Sequence, residues 1–221
     1  MEFNYIADGI DAVVIDNFYT EDQLKEIMIE LKWLTKPSVM VGKENLSSAQ
    51  DENTKQFLTS KKGVFLESIF LNWKHSALIK HPMDNFTKDL VRDKLLEFNP
   101  LFKMFYNVDS RTHLLSYYEN SDFYKPHTDT TIFTVLNYFF NEPKKFTGGD
   151  IKLYGFNNSN ECDIELRHNR VVIITGNTFH EVKEIKSKLD NSFSGDGRYC
   201  NAIFLNQRGD PPQRNNQNDS N

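Results

Sequence analysis

Only two cysteines, Cys162 and Cys200, occur among the 221 residues. Two are too few for a disulfide framework or for a four-cysteine zinc site. The sequence also lacks an apolar run of bilayer-spanning length, and residues 1–16 contain no basic segment followed by an apolar one. These absences predict a soluble, cytoplasmic protein with no membrane partner.

Positive charge is in deficit, because 26 Lys and Arg residues face 31 Asp and Glu residues and the formal net charge is -5. No segregated basic patch offsets this balance. An acidic surface repels a polyphosphate backbone. We therefore expect that nucleic acid is not a partner.

Aromatic residues are plentiful, at 13% of the chain with 18 Phe, and they suit the half-buried faces of β-strands. A strand is predicted over 12–16. Thr20 and Gln23 then form a capping box that opens an amphipathic helix over 21–34. A second helix is predicted over 83–98, with Phe86, Leu90, Val91, Leu95 and Phe98 facing inward.

From Thr112 onward, short apolar runs alternate with turn residues, which is typical of an antiparallel sandwich or barrel. Gly148-Gly149 is interpreted as a hairpin turn between two strands. We expect one domain over 1–206, in which 1–111 support a β-rich core at 112–206, followed by a disordered polar tail at 207–221. The predicted strands are 112–118, 131–140, 150–154, 170–175, 180–186 and 198–206.

His127 and Asp129 are two residues apart, and residues at that spacing on a strand point to the same face. An imidazole and a carboxylate can therefore face one metal ion together. The pair alone is weak evidence, because about 0.8 such pairs are expected by chance with six histidines and 31 acidic residues among 221.

The order of the surrounding residues strengthens the interpretation. In chain order the features are Tyr118, Tyr124, the pair His127 and Asp129, Phe146-Thr147-Gly148-Gly149-Asp150, Arg170–Thr175, His180-Glu181-Val182 and Gly197-Arg198-Tyr199. This order resembles the 2-oxoglutarate/iron(II) dioxygenase superfamily, and specifically its prolyl 4-hydroxylase-like branch, well over 112–206 and more loosely before that.

The resemblance implies a double-stranded β-helix, also called a jelly roll or cupin-like fold, with N-terminal helices packed on one sheet. It implies that His127, Asp129 and His180 bind iron(II), leaving positions open for 2-oxoglutarate and O2. Oxidative decarboxylation of 2-oxoglutarate then yields succinate and CO2 and oxidises a C–H bond of the substrate. Ascorbate is expected to support the reaction.

The resemblance also assigns the cosubstrate pocket. Arg198 matches the arginine that grips the distal carboxylate of 2-oxoglutarate, and Tyr118 matches a tyrosine that lines the same pocket. Relatives often carry a second pocket tyrosine on the strand after the metal pair. Phe139 falls there in this sequence, and Asn137, on the same face, is expected to supply the polar contact.

The polar segment 35–63 is longer than a loop that only joins two elements of a compact domain. It is therefore interpreted as a binding loop or lid, with a disordered insertion as the alternative. Its part from Leu58 to Phe65 is similar to a segment that shapes the peptide groove in the prolyl 4-hydroxylase-like branch. Thr59, Ser60 and Tyr124 are therefore candidate substrate or lid residues.

Four functions remain open. The first is hydroxylation of a prolyl residue of a peptide or protein, and the second is the same chemistry on a free amino acid or other small substrate. A nucleic-acid demethylase is disfavoured, because Phe204 stands where such enzymes typically carry a second arginine. A non-enzymatic metal-binding jelly roll is disfavoured because no ligand residue is missing.

Overall fold

The computed structural model describes residues 1–7, 9–156, 160–188 and 192–207. The helices are α1 (Glu21–Leu34), α2 (Ala77–Phe86) and α3 (Asp89–Phe98). The strands are β1 (Glu2–Ile6), β2 (Ala12–Asp16), β3 (Val41–Gly42), β4 (Lys62–Phe65), β5 (Ser110–Tyr118), β6 (Tyr124–His127), β7 (Phe133–Phe139), β8 (Phe146–Thr147), β9 (Ile151–Tyr154), β10 (Glu161–Ile164), β11 (Arg170–Thr175), β12 (Phe179–Val182), β13 (Lys186–Ser187) and β14 (Arg198–Asn206). The predicted tail lies outside the described residues, apart from Gln207.

Helix α1 begins and ends where the sequence predicts. The Thr20 hydroxyl accepts the backbone N–H of Gln23, and the Gln23 side chain accepts the backbone N–H of Thr20. This capping box satisfies two N–H groups that have no partner within the helix. The face carrying Ile27, Leu31 and Leu34 is fully buried and packs toward the core.

The helix predicted over 83–98 is wrong in its bounds, because two helices meet within that range. The chain is extended at Lys88, and the Thr87 hydroxyl donates to the carbonyl oxygen of Asp84 at 2.8 Å, so α2 ends there and α3 begins anew. Leu90, predicted to face inward, is 57% exposed. The other four predicted inward positions are buried or pack against the core.

Helix α2 also begins earlier than predicted, although it contains Pro82. Proline has no N–H to donate to the carbonyl four residues before it, here that of Leu78. The Asn201 amide on β14 donates to that carbonyl at 2.7 Å instead. A tertiary hydrogen bond thus replaces the missing helical one and fixes α2 to the sheet.

Two antiparallel sheets carry the jelly-roll part of the chain. In the described ranges, the larger sheet has the order β1-β2-β11-β7-β14-β5-β4-β3 and the smaller one β10-β9-β12-β6. Strands β8 and β13 form a separate pair. Gly148-Gly149 is therefore not a hairpin turn, because β8 pairs with β13 while β9 pairs with β10 and β12. The two glycines, both with positive φ, carry the chain from one sheet to another.

The larger sheet separates two apolar layers, and its central strands are buried on both faces. Val171 and Ile173 of β11 pack with the helices, whereas Val172 and Ile174 face the smaller sheet. The protein is thus mainly β, with helices covering one side of a double-stranded β-helix. None of the described helices is long and apolar enough to cross a membrane.

Candidate metal centre

Strands β6 and β12 pair so that His127 lies directly opposite His180. Asp129 follows just after β6, where its backbone N–H donates to the carbonyl oxygen of Gly176 at 2.9 Å. One ligand atom from each of the three side chains lies within 4.8 Å of the others. The structure therefore brings together the three residues that the sequence analysis assigned to the metal.

Hydrogen bonds to the backbone orient both imidazoles. Nδ1 of His127 lies 2.9 Å from the carbonyl oxygen of Lys125, and Nδ1 of His180 lies 2.9 Å from that of Thr178. A carbonyl oxygen can only accept, so each Nδ1 carries a proton and each Nε2 presents a lone pair. Each Nε2 lies 3.9 Å from a carboxylate oxygen of Asp129.

The His127 ring is held and kept neutral by its surroundings. The Tyr124 ring stacks on it, with centroids 3.6 Å apart and planes 12° from parallel. Burial, and then the nearby His180 and Lys61, lowers the pKa of His127 to about 3. The neutral imidazole is the form that binds a metal ion.

Asp129 is oriented by a threonine at the start of β7, the next strand along the chain, which lies in the larger sheet. The Thr134 hydroxyl donates to Oδ2 of Asp129 at 2.6 Å, and it lies 3.0 Å from the hydroxyl of Thr131. Two imidazole nitrogens and one carboxylate oxygen on one side of a cavity are the donor set that suits iron(II) with positions left open. The residues present therefore fit iron(II).

A cavity of about 410 Å³ opens beside this donor set. Its lining includes Asp129, Tyr124, Lys61 and Phe204. A cavity of this size lies within the range of small-molecule sites, about 300–1,000 Å³. It can therefore admit a small ligand or the side chain of a larger substrate.

Arg198 lies at the start of β14, fully buried in the layer between the sheets. Its guanidinium carbon is 4.7 Å from the centroid of the Tyr118 ring and 4.8 Å from that of Tyr138. Nε donates to the carbonyl oxygen of Gly149 at 3.0 Å, but Nη1 and the Tyr138 hydroxyl are buried with no hydrogen-bond partner among the described residues. Buried polar atoms are normally paired, so this cluster fits a carboxylate ligand such as 2-oxoglutarate.

Gly149 makes room for this arginine. A Cβ added to Gly149 would lie 2.5 Å from Cδ1 of Ile185 and 3.0 Å from Cδ of Arg198. Its φ of 79° is also one that other residues rarely adopt. Gly149 therefore leaves space for Arg198, whereas Gly148 leaves space for the backbone of Glu184.

The expected pocket residue Asn137 lies on the opposite face of β7, so that prediction is wrong. Its side chain accepts the Tyr19 hydroxyl at 2.6 Å and donates to the carbonyl of Asn201 at 2.9 Å, on the helix side of the sheet. Phe139 lies on that side too. Tyr138 is the β7 residue that faces Arg198, one position from both Asn137 and Phe139. Tyr118, in contrast, faces Arg198 as expected.

Replacing Asn137 with alanine is expected to lower stability without changing 2-oxoglutarate affinity. The change leaves the buried Tyr19 hydroxyl without a partner and removes one hydrogen bond to the Asn201 carbonyl, which together cost about 2–3 kcal/mol. Chemical denaturation measures the loss, and calorimetric titration of the metal-loaded protein measures affinity. The exposed Asn53→Ala is the control. A ten-fold loss of 2-oxoglutarate affinity at full stability would contradict the assigned face.

Of the three candidate substrate or lid residues, only Tyr124 lines the cavity. The Thr59 hydroxyl donates to the carbonyl of Phe123 at 2.8 Å, and the Ser60 hydroxyl donates to Asp122 at 2.7 Å. These bonds attach the end of segment 35–63 to the chain before β6. The Ala49 N–H donates to the Tyr124 hydroxyl at 2.9 Å, so the segment contacts the site at a second point.

Lys61 is the cavity residue that the sequence analysis missed. It exposes only 9% of its surface, and its ammonium lies 4.7 Å from the centroid of the Tyr124 ring. Burial, acting before the charges of its neighbours, lowers its pKa to about 8. The sequence signal was slight, since Lys61 sits in a polar segment beside a second lysine.

Comparison with known proteins identifies the class to which this site belongs. Residues 112–205 match the family described as the 2OG-Fe(II) oxygenase superfamily. They contain His127, Asp129, His180 and Arg198. No curated protein matches the chain in sequence.

Solved structures share the fold at low sequence identity. A Pseudomonas putida prolyl-4-hydroxylase has 14% identity and a TM-score of 0.59, covering 90% of this chain and 93% of its own. A Trichoplax adhaerens prolyl hydroxylase, in complex with a hypoxia inducible factor oxygen degradation domain peptide fragment, has 18% identity and a TM-score of 0.59, covering 89% and 83%. A Shewanella oneidensis putative oxygenase has 13% identity and a TM-score of 0.52, covering 90% and 83%.

The jelly-roll part of this chain is a 2OG-Fe(II) oxygenase domain. The protein is accordingly a 2-oxoglutarate-dependent dioxygenase that uses iron(II), 2-oxoglutarate and O2, and its fold resembles that of the prolyl 4-hydroxylase-like branch.

Proposed function

We propose that this dioxygenase hydroxylates a prolyl residue of a peptide or protein, with His127, Asp129 and His180 as the iron ligands. The observation that supports the ligand assignment is the convergence of three oriented donors on one point beside a cavity. We further propose that Arg198, with Tyr118 and Tyr138, binds the distal carboxylate of 2-oxoglutarate. The unpaired Nη1 and tyrosine hydroxyl support this role.

The chain's own side chains bind, orient and exclude water. The carbonyls that accept from Nδ1 keep the histidine lone pairs directed at the metal, and Thr134 keeps Asp129 in place. When bound, iron(II) with 2-oxoglutarate and O2 supplies oxidative decarboxylation to succinate and CO2, coupled to insertion of one oxygen atom into a C–H bond. The apolar layer around Arg198 strengthens its attraction for a carboxylate, because charges interact more strongly away from water.

The likeness of the fold to two prolyl hydroxylases supports the prolyl substrate. One of those two structures holds a peptide, which supports a peptide or protein substrate rather than a free amino acid. Proline suits an extended bound peptide, because its fixed φ lowers the entropy lost on binding. The supporting features of this chain are Tyr124 and segment 35–63, which border the cavity beside the metal ligands.

The test is mass spectrometry of proline-containing peptides incubated with the protein, iron(II), ascorbate and 2-oxoglutarate. We expect a mass gain of one oxygen atom on proline, with one succinate formed for each hydroxylation. The matched substrate control replaces proline with alanine, and the enzyme control is the His127→Ala variant. Consumption of 2-oxoglutarate that no proline peptide stimulates, but a free amino acid does, would refute the prolyl substrate and leave the oxygenase.

A further inference from the structure

Lys61 is a buried cation that lines the open part of the site and forms no ion pair with an acidic side chain of the described residues. It lines the same cavity as Asp129 and Tyr124. Its ammonium lies 4.7 Å from the centroid of the Tyr124 ring and 6.0 Å from that of Tyr118. Among the described residues, no side chain or backbone group forms a hydrogen bond or ion pair with it. Its neighbour Lys62, in contrast, pairs with Glu119 at 2.7 Å.

An unpaired buried ammonium is costly, because little water remains to solvate it. The rings of Tyr118 and Tyr124 offset part of this cost through cation–π attraction. The lowered pKa of Lys61, caused first by burial, has the same origin. Such a group is stabilised when an anion enters the cavity beside it.

The formal charges of the site, with iron(II) and 2-oxoglutarate bound, do not sum to zero. Iron(II) contributes two positive charges, and Lys61 and Arg198 contribute one each. Asp129 and the two carboxylates of 2-oxoglutarate together contribute three negative charges. The ionisable groups that influence Lys61 are Asp129, Arg198 and Cys200, and burial raises the pKa of the Cys200 thiol, which keeps it neutral. One positive charge therefore remains, on the cavity side of the site.

2-Oxoglutarate itself is a poor match for Lys61. Arg198 already offers its distal carboxylate a buried donor, Nη1, and a neighbouring hydroxyl, that of Tyr138. The opposite end of 2-oxoglutarate, which carries the keto group and its adjacent carboxylate, is the end that suits the metal ion. Lys61 instead lies over Tyr124, whose ring stacks on His127 and whose hydroxyl accepts the Ala49 N–H from segment 35–63. This position faces the space left for the substrate.

We propose that Lys61 is a specificity residue that binds a carboxylate of the substrate close to the C–H bond that is oxidised. The inference rests on the proposed function and narrows its substrate class. The carboxylate can belong to an acidic residue next to proline in a peptide, or to the α-carboxylate of a free amino acid. Both sources offer Lys61 the same group.

The experiment uses full-length protein loaded anaerobically with manganese(II) and 2-oxoglutarate, so that binding is measured without turnover. The probes are matched pairs whose members differ only in whether a carboxylate or an uncharged amide is present. In the peptide pair, proline is flanked by glutamate on each side in one member and by glutamine in the other. In the small-molecule pair, L-proline is compared with L-prolinamide. Calorimetric titration gives the affinity of each probe for the wild type, Lys61→Met, Lys61→Arg and the control Lys62→Met.

We expect the acidic member of one pair to bind about ten-fold more tightly than its neutral partner, since a hydrogen bond to a charged group contributes at least this factor. Lys61→Met should reduce the preference to less than about two-fold, and Lys61→Arg should restore most of it. Affinity for 2-oxoglutarate and for manganese should not change in these variants. The pair that shows the preference identifies the source of the carboxylate.

Two results would overturn the inference while leaving the prolyl substrate intact. One is equal affinity for the acidic and neutral members of a pair that binds, and the other is a Lys61→Met variant that loses affinity for 2-oxoglutarate instead. If neither pair binds, acetate becomes the probe, and the prolyl substrate is judged by the mass-spectrometric test alone. Saturable acetate binding that Lys61→Met abolishes would still support the lysine site, and acetate binding that is absent or independent of Lys61 would refute it.

Discussion

Replacing His127 and Asp129 together with alanine is expected to abolish stoichiometric binding of iron(II) or manganese(II). Two of the three convergent donors disappear, and the remaining imidazole of His180 cannot hold a divalent ion alone. Loss of an outer-shell partner already costs about 10–100-fold in metal affinity or activity, so loss of two ligands should exceed 100-fold. Metal analysis after gel filtration measures the stoichiometry, and release of CO2 from 2-oxoglutarate measures the accompanying loss of turnover.

The control for this double variant is His75→Ala, which removes an exposed histidine outside the cluster. It should retain one metal ion per chain. Both proteins should unfold at similar temperatures in the absence of metal, because the alanines replace side chains whose polar atoms are held only by local hydrogen bonds. A double variant that still binds one ion per chain would refute the assignment of these residues.

A milder change tests the hydrogen bond that orients Asp129 at the same site. Thr134 reaches Asp129 across the turn after β6 and fixes one of its carboxylate oxygens. Thr134→Val keeps the side-chain shape but removes the donor, so metal affinity should fall by about 10–100-fold. Competition with a chelator of known affinity measures this change. Wild-type affinity in the valine variant would show that the turn alone orients the carboxylate.

The cluster of two histidines and one aspartate could be predicted from the sequence because its signals are local and ordered along the chain. His127 and Asp129 are two residues apart, and His180 follows in the order that the resemblance requires. Helix α1 could be predicted for a similar reason, since its capping box and apolar spacing lie within one segment. Patterns of this kind depend on neighbours in sequence rather than on tertiary contacts.

The wrong or missing predictions concern features that depend on tertiary contacts. The apolar run that forms β7 is buried on both faces, so no alternation of polar and apolar residues shows which side chains face the cavity. Asn137 was therefore placed in the pocket that Tyr138 occupies. The start of α2 was missed because Pro82 disfavours a helix, and the compensating hydrogen bond comes from Asn201, more than a hundred residues away. Lys61 was missed because only the fold brings it beside Asp129.

Replacing Arg198 with alanine is expected to weaken 2-oxoglutarate binding far more than metal binding. The guanidinium is held between two tyrosine rings with Nη1 unpaired, so a carboxylate there gains a charge-assisted hydrogen bond in a dry environment. Its loss should cost about 2–5 kcal/mol, which is roughly 30-fold or more in affinity. Calorimetric titration of the manganese-loaded protein with 2-oxoglutarate measures this, and metal affinity should change less than about two-fold.

Two further variants separate the charge of Arg198 from its shape. Arg198→Lys keeps a cation but loses the planar fork and its stacking on the rings, so its 2-oxoglutarate affinity should fall between those of wild type and Arg198→Ala. The variant Arg167→Ala, which removes an exposed arginine, should have no effect.

Other cations nearby are poor substitutes for Arg198, because Lys152 pairs with Glu161, and Lys183 pairs with Asp163 at 2.9 Å. Unchanged affinity in Arg198→Ala would therefore assign the distal carboxylate to Lys61, and the charge balance that directs Lys61 toward the substrate would no longer hold.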